Sequence, residues 1–197
     1  MLNQTEDKPT LVLDLDETLV HSSPTLGSTS QYDFVVHVFI DSVGHFVPFF
    51  VRCRPYLSLF LARMSRLYEI VVFTASRKKY ADKVIDRIDR FGAVSRRFYR
   101  DSCTQLHSNK FAKNLRCVRR DGGRIVLVDN SEASFHFNQD NGILISGWTD
   151  DRSDSALLDL IPLLEVLSQS SDVRGLLSRR VRQPARVGLI GGSKRLG

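Results

Sequence analysis

Leu11-Val12-Leu13-Asp14-Leu15-Asp16-Glu17-Thr18 decides how this chain folds. A short apolar run with a β-branched residue reads as a buried strand, and this one ends in two acids one residue apart. Side chains alternate along a strand, so Asp14 and Asp16 leave on the same side. At the C-terminal end of a parallel strand, that side faces the crevice where α/β folds bind ligands. Two carboxylates held so close repel each other, and a divalent cation or a shared proton relieves the repulsion.

Outward from this point, strands and helices alternate. Tyr32 to Ile40 and His45 to Arg52 read as a β-hairpin inserted at about 31–52, preceded by a loop from His21 to Ser30. Pro55 suits a first helical turn, and Leu57, Phe60, Leu61 and Met64 recur at helical spacing. Glu69 to Phe73 is a second buried strand, ending in Thr74-Ala75-Ser76. Tyr80, Val84, Ile88 and Phe91 form a helix stripe closed by Gly92. Phe98-Tyr99 reads as a short strand, Arg124 to Val128 as a longer one ending in Asp129-Asn130, and Ile143 to Ser146 as another. Leu157 to Leu167 is helical in composition, with Pro162 expected to break it. The pattern predicts an α/β fold: a parallel sheet flanked by helices with a small β insertion.

Composition sets the bounds. The 197 residues, 42% hydrophobic and 25% charged, are those of one ordinary globular domain. No run approaches the roughly 18–20 apolar residues of a membrane span. Met1 to Thr10 is polar and does not read as a signal peptide. Cys53, Cys103 and Cys117 lack metal-ligand spacing and read as reduced thiols of a nuclear or cytoplasmic protein. The triplet Asn3-Gln4-Thr5 fits glycosylation, but nothing else suggests secretion. The net charge of +6 lies wholly from Asp172 onward, where seven basic residues face one acid. A balanced body at 10–171 thus stands between a short tail at 1–9 and a basic tail at 172–197. That tail, expected to be mobile, suits acidic partners or nucleic acid.

Three strands end in polar signatures: Asp14-x-Asp16-x-Thr18, Thr74-Ala75-Ser76 and Asp129-Asn130. A parallel sheet brings such ends to one edge. Two acids, a hydroxyl and an acid–amide pair suit Mg²⁺ and a phosphate, because Mg²⁺ takes oxygen ligands. No His/Cys cluster competes for a softer metal, and none of the five histidines reads as catalytic. Cys103 lacks the Cys-x5-Arg loop of thiolate phosphatases.

These motifs resemble the haloacid dehalogenase superfamily. More narrowly, Asp14 to Ser23, Phe73 to Ser76, Lys78 to Asp82 and Asp129-Asn130-Ser131 look like the small phosphatases of the RNA polymerase II C-terminal domain. Arg54-Pro55 and Arg100 to Cys103 fit the same family. The resemblance implies a Mg²⁺-dependent phosphatase for phosphoserine or phosphothreonine in proteins. Asp14 would be the nucleophile, and Asp16 the acid and base that also offers its carbonyl to the metal. Asp14 and Asn130 would be side-chain ligands, with Asp129 nearby. Thr18 completes the motif, and Thr74 and Ala75 would face the phosphoryl group. Lys110 and Lys113 both compete for the phosphate-neutralising role, and the following Asn114-Leu115 favours Lys113. Arg100 and Tyr80 match residues that approach substrate.

In the similar phosphatases an apolar pocket beside the insertion takes a substrate proline, and Val38, Ile40 and Phe49 fall where its residues should be. Two positions depart. Pro24 stands where the family has an aromatic residue, and Arg77 replaces an apolar one. A charge at the rim changes which neighbouring substrate residue is welcome. The RNA polymerase II repeat is therefore one candidate substrate. A regulator of lipid metabolism, a small phosphate ester, or a non-catalytic phosphoprotein-binding role are the alternatives. A monomer is expected.

Overall fold

The computed structural model describes residues 8–25, 31–107 and 110–181. The triplet at Asn3 and the basic tail beyond Val181 lie outside them. The central sheet is parallel and five-stranded. It comprises β1 (Thr10–Leu13), β5 (Glu69–Phe73), β6 (Val94–Phe98), β9 (Ile125–Asp129) and β10 (Gly142–Leu144), in the order β10-β9-β1-β5-β6. Leu13 pairs in register with Val72 on one side and Val128 on the other. The next residues, Asp14, Phe73 and Asp129, therefore emerge level at one edge. Alternation sends Leu11, Leu13, Val72 and Val128 toward the helices α1 (Leu57–Leu67), α2 (Lys78–Ile88) and α3 (Ala156–Ser168). Val12, Val71, Phe73 and Leu127 face the other way, against Leu115, Val118 and Phe135 on single-turn segments. Both faces are buried, which is why these strands are continuously apolar.

The insertion is larger than a hairpin. β2 (Val20–Ser23) joins β3 (Phe34–Ile40) and β4 (His45–Cys53) in an antiparallel sheet of order β2-β4-β3. Ser22 and Ser23 read as loop from composition. The free edge of β4 recruits them, because its backbone groups need partners that polar residues supply equally well. Two further strands, β7 (Thr104–Gln105) and β8 (Phe111–Ala112), form a short ladder.

Helix boundaries also shift. Pro55 lies before α1, whose N-cap Tyr56 takes a left-handed φ of 64°. α2 stops at Ile88 because Asp89 accepts the amides of Ala93 and Val94 at 2.6 and 3.1 Å. Phe91, expected on the buried stripe, is therefore exposed. β6 begins at Val94, well before the expected Phe98. Pro162 does not break α3: it faces solvent, and buried Leu157, Ile161, Leu164 and Leu167 hold the helix to the core. The chain also packs past Ser168. Val173 and Leu177 are buried where α4 (Arg174–Val181) closes on the body, so packing continues past the expected boundary at 171.

Candidate active site

Beyond β1 the chain turns sharply. Asp14 donates its amide to Val128, while Leu19 and Val20 both donate to the Leu15 carbonyl at 2.9 and 3.1 Å. Glu17 sits at φ 58°, a left-handed conformation that costs a non-glycine residue about 1–2 kcal/mol. The surroundings hold that turn. Trp148 donates to the Glu17 carbonyl at 2.8 Å, and Arg54 reaches the Thr18 carbonyl at 3.2 Å. Arg54, 1% exposed, is fixed in turn by a two-pronged pair with Asp154, both contacts at 2.8 Å.

Of the two lysines, Lys113 is the one that meets the acids. Its side chain is 1% exposed, and Nζ lies 2.5 Å from both Asp14 Oδ1 and Asp129 Oδ2. Lys110 borders the same cavity without a bond to either acid. The remaining oxygens are held too: Thr18 Oγ1 donates to Asp14 Oδ2 at 3.2 Å, and the Ser131 amide to Asp129 Oδ1 at 2.8 Å. One cation faces two acids, leaving an excess negative charge out of water. Burial accordingly pushes Asp14 up to about 7, with Lys113 pulling against it and Asp129 adding to the rise. For Lys113, burial opposes the charge, but the two carboxylates outweigh it and hold its pKa above the ordinary lysine value.

Asp16 is clamped by hydroxyls. Ser76 Oγ donates to Oδ2 at 2.7 Å and Tyr80 OH to Oδ1 at 2.6 Å, while Tyr80 also meets Ser22 Oγ at 2.7 Å. Burial, reinforced by the Asp16 charge, raises the Tyr80 pKa, so the phenol remains a donor. Thr74 is buried and accepts the Ser76 amide at 3.0 Å. It does not cap α2, whose N-cap is Arg77. Arg100 is steered by its Nε bond to the Ala75 carbonyl at 2.6 Å and by the Phe111 ring, 5.2 Å away.

A cavity of about 330 Å³ gathers Asp14, Asp16, Thr74, Ala75, Lys113, Asp129 and Asn130. A second, of about 660 Å³, takes Val38, Ile40, Phe49, Arg77 and Tyr80. Asp16, Glu17, Ser76 and Arg100 border both, so the two adjoin. Thr18 lines neither: fully buried, it links Asp14 Oδ2 to Asn130 Oδ1, at 3.2 and 3.3 Å from its hydroxyl. Pro24 is exposed and lines neither cavity. Ser76, Ser22 and Arg54 stood in the quoted motifs without a role of their own, and Asp154 was not singled out. Only Ser76 carried a local signal, two residues past Thr74 and so on its side of the chain.

The donor set suits a hard cation. Around the excess charge stand the Asp14 and Asp129 carboxylates and the Asn130 amide oxygen, and Mg²⁺ uses one or two carboxylates with substrate oxygens and waters. Among the described residues, no three His, Cys, Asp or Glu side chains are grouped to hold a metal ion by themselves, so a cation here would need the amide oxygen, substrate oxygens and waters as well.

The sequence pattern defining the NLI interacting factor-like phosphatases matches residues 9–174. The chain belongs to this family. Among curated members, the human carboxy-terminal domain RNA polymerase II polypeptide A small phosphatase 1 is 44% identical over 181 residues. That match covers 92% of this chain and 66% of the relative. The Xenopus tropicalis CTD nuclear envelope phosphatase 1 is 44% identical over 180 residues, covering 88% and 72%. The chain thus spans just under two thirds of the first of these NLI interacting factor-like phosphatases. A solved structure of a variant of the fission yeast RNA polymerase II CTD phosphatase Fcp1, bound to beryllium fluoride, superposes with TM-score 0.60 at 24% identity. It covers 87% of this chain and 54% of that one, and the likeness bears out the expected α/β fold.

Proposed function

We propose that this chain is a Mg²⁺-dependent protein phosphatase that hydrolyses phosphoserine or phosphothreonine through a phospho-Asp14 intermediate. The observation that carries the reading is Lys113 buried between Asp14 and Asp129, one residue pair away from an Asp16 held by Ser76 and Tyr80. A carboxylate nucleophile beside a second carboxylate is the arrangement that splits phosphate-ester hydrolysis into two steps.

In the first step an Asp14 oxygen attacks phosphorus, the ester P–O bond breaks, and Asp16 gives its proton to the departing serine or threonine oxygen. In the second, Asp16 takes a proton from water as that water attacks phosphorus. The acyl phosphate opens to inorganic phosphate and free Asp14. Lys113 offsets charge on Asp14 and the transferring phosphoryl group, Asp129 holds Lys113 in place, and Thr74 and Arg100 face the phosphoryl oxygens. Phosphoryl transfer asks mainly for alignment and charge stabilisation, and this cavity offers both. Asp14, Asn130 and the Asp16 carbonyl would hold Mg²⁺, which supplies positive charge at the phosphoryl oxygens.

The open cavity beside the site suits a protein segment rather than an enclosed metabolite. The relatives' names support the RNA polymerase II C-terminal domain as one substrate and a nuclear place of work. No helix among the described residues is long and apolar enough to cross a membrane. The test is hydrolysis of an aryl phosphate by wild type and Asp14→Asn, with Mg²⁺ and with chelator, plus acid-quench trapping of phosphoprotein. Turnover that needs both Mg²⁺ and Asp14, with label trapped on the wild type alone, is expected. Activity surviving in Asp14→Asn refutes the nucleophile, and a folded but inactive wild type favours a binding role.

A further inference from the structure

The larger cavity has two kinds of wall. Val38, Ile40, Phe49 and the Tyr80 ring give it an apolar floor, and Arg77, Lys79 and Arg100 line the same cavity. Two of those cations are committed. Lys79 pairs with Asp41 at 2.8 Å, and Arg100 gives its Nε to the Ala75 carbonyl at 2.6 Å. Arg77 is exposed, and among the described residues its guanidinium makes no hydrogen bond or ion pair. Its one recorded relation is a weak attraction for Asp41, which Lys79 already holds. The other acids on the wall are also met: Asp16 by Ser76 and Tyr80, and Glu17 by His21 at 3.1 Å.

The placement of Arg77 works against local stability. Arg77, Lys78 and Lys79 open α2, whose first turn contains no acid. A helix N-terminus carries partial positive charge, and cations there are disfavoured. Lys78 recovers through Asp82 and the Tyr99 hydroxyl, at 2.8 and 3.1 Å. Arg77 has no such return within the fold. A local choice that opposes the fold is the mark of a functional position.

We propose that Arg77 is the specificity residue of this site, receiving a second anionic group, carboxylate or phosphate, from the peptide whose phosphoserine lies at Asp14. This rests on the phosphatase reading and gives its substrate class: segments with more than one negative charge. Asp16, Ser76 and Arg100 border both cavities, and Ser76 immediately precedes Arg77. An extended peptide advances about 3.3–3.6 Å per residue, so a second anion within about four residues of the phosphoserine comes into reach. The apolar floor seats the intervening side chain.

The experiment compares kcat/KM for phosphoserine peptides of one length. One has neutral flanks, others carry Glu at successive positions on either side, and others carry a second phosphoserine there. Wild type is expected to favour the best doubly anionic peptide over the neutral one by about 3- to 10-fold in dilute buffer, and by less at high salt. Arg77→Leu brings that ratio close to one, Arg77→Lys keeps part of it, and Arg77→Glu inverts it. Thermal melts confirm that each variant is folded. A ratio unchanged in Arg77→Leu and Arg77→Glu overturns the proposal. So does a wild type that hydrolyses the neutral peptide and an aryl phosphate but shows no anionic preference. A wild type that turns over no phosphate ester at all refutes the phosphatase reading first, and this proposal with it.

Discussion

Replacing Lys113 with Met removes the ammonium and keeps a side chain of similar length. It leaves Asp14 and Asp129, 7% and 1% exposed, without the cation that each now meets at 2.5 Å. Removing one partner of a buried ion pair costs about 3–5 kcal/mol, mainly because the remaining charge is unpaired. Two stranded carboxylates place the expected loss near the upper end, against a total stability of about 5–15 kcal/mol. The loss should depend on pH in a stated direction. Asp14 already has a folded pKa of about 7, above its unfolded 3.8, and losing Lys113 removes the pull that opposes the rise. A carboxyl with a raised folded pKa loses stability as pH climbs from the unfolded value to the folded one. The slope approaches about 1.4 kcal/mol per pH unit for each proton. Wild type stops losing stability near pH 7, whereas Lys113→Met goes on losing it above. Urea unfolding in chelated buffer should therefore show a gap between the two proteins that widens from pH 6 to pH 8.5 and narrows toward pH 5. Adding Asp129→Asn to Lys113→Met should restore part of the stability at pH 8, although each change alone is destabilising. A gap below about 1 kcal/mol at pH 8, or one constant with pH, refutes the buried-charge account.

Asp14→Asn removes a group that the fold holds with difficulty, so in chelator at pH 8 it should be at least as stable as wild type; Mg²⁺ should then raise the melting temperature of wild type only. Equal Mg²⁺ shifts in both proteins would place the ion elsewhere. The Asp154 carboxyl sits below its usual pKa because Arg54 donates to it, so this pair's stability is complete above the unfolded value of 3.8 and is lost as pH falls through the lower folded one. Asp154→Asn, which strands the buried Arg54, should cost about 3 kcal/mol at pH 7, and the deficit should shrink below pH 4 in acid titrations of the melt. A deficit that persists undiminished at pH 2.5 would contradict that sign. At Gly147, a Cβ would lie 3.3 Å from Asn130 Nδ2, close enough to displace the amide by a few tenths of an ångström. Gly147→Ala should therefore weaken Mg²⁺, seen as a higher concentration for the half-maximal melting shift, with little change in metal-free stability; an unchanged half-point would free Asn130 of that role.

Much of the fold was legible because its strands announce themselves. Leu11 to Leu13, Ile70 to Phe73 and Ile125 to Val128 are buried on both faces, so composition alone marks them. Misreadings gathered where a partner elsewhere in the chain decided the outcome. Ser22 and Ser23 become strand because β4 offers an edge, and Pro162 stays helical because four apolar neighbours anchor its helix. Asp89 ends α2 before the expected glycine because two amides lie within its reach. Val173 and Leu177 look like stray apolar residues in a polar stretch until the core supplies their contacts.

The same division runs through the site. Asp14, Asp16, Thr74, Asp129 and Asn130 were readable as a group because each stands at or just past the C-terminal end of a strand, and a parallel sheet turns sequence position into spatial position. Lys113 follows only a two-residue strand, and the resemblance rather than any periodicity singled it out from Lys110. Arg54 and Asp154 meet across 100 residues, and Ser76 reaches Asp16 across 60, so neither pairing has a local signature. Chemistry in this fold is thus written in spacing, while the devices that hold it are written in tertiary contacts. Substrate choice follows the second rule. Val38, Ile40 and Phe49 come from the inserted sheet and Arg77 and Tyr80 from α2, and they share a cavity only because β3 packs against that helix. Asp16 borders that cavity and the smaller one holding Asp14 together, with Tyr80 bonded to it. A peptide seated on the apolar floor therefore touches the residue that holds the proposed acid and base, which couples what is bound to how Asp16 is aimed.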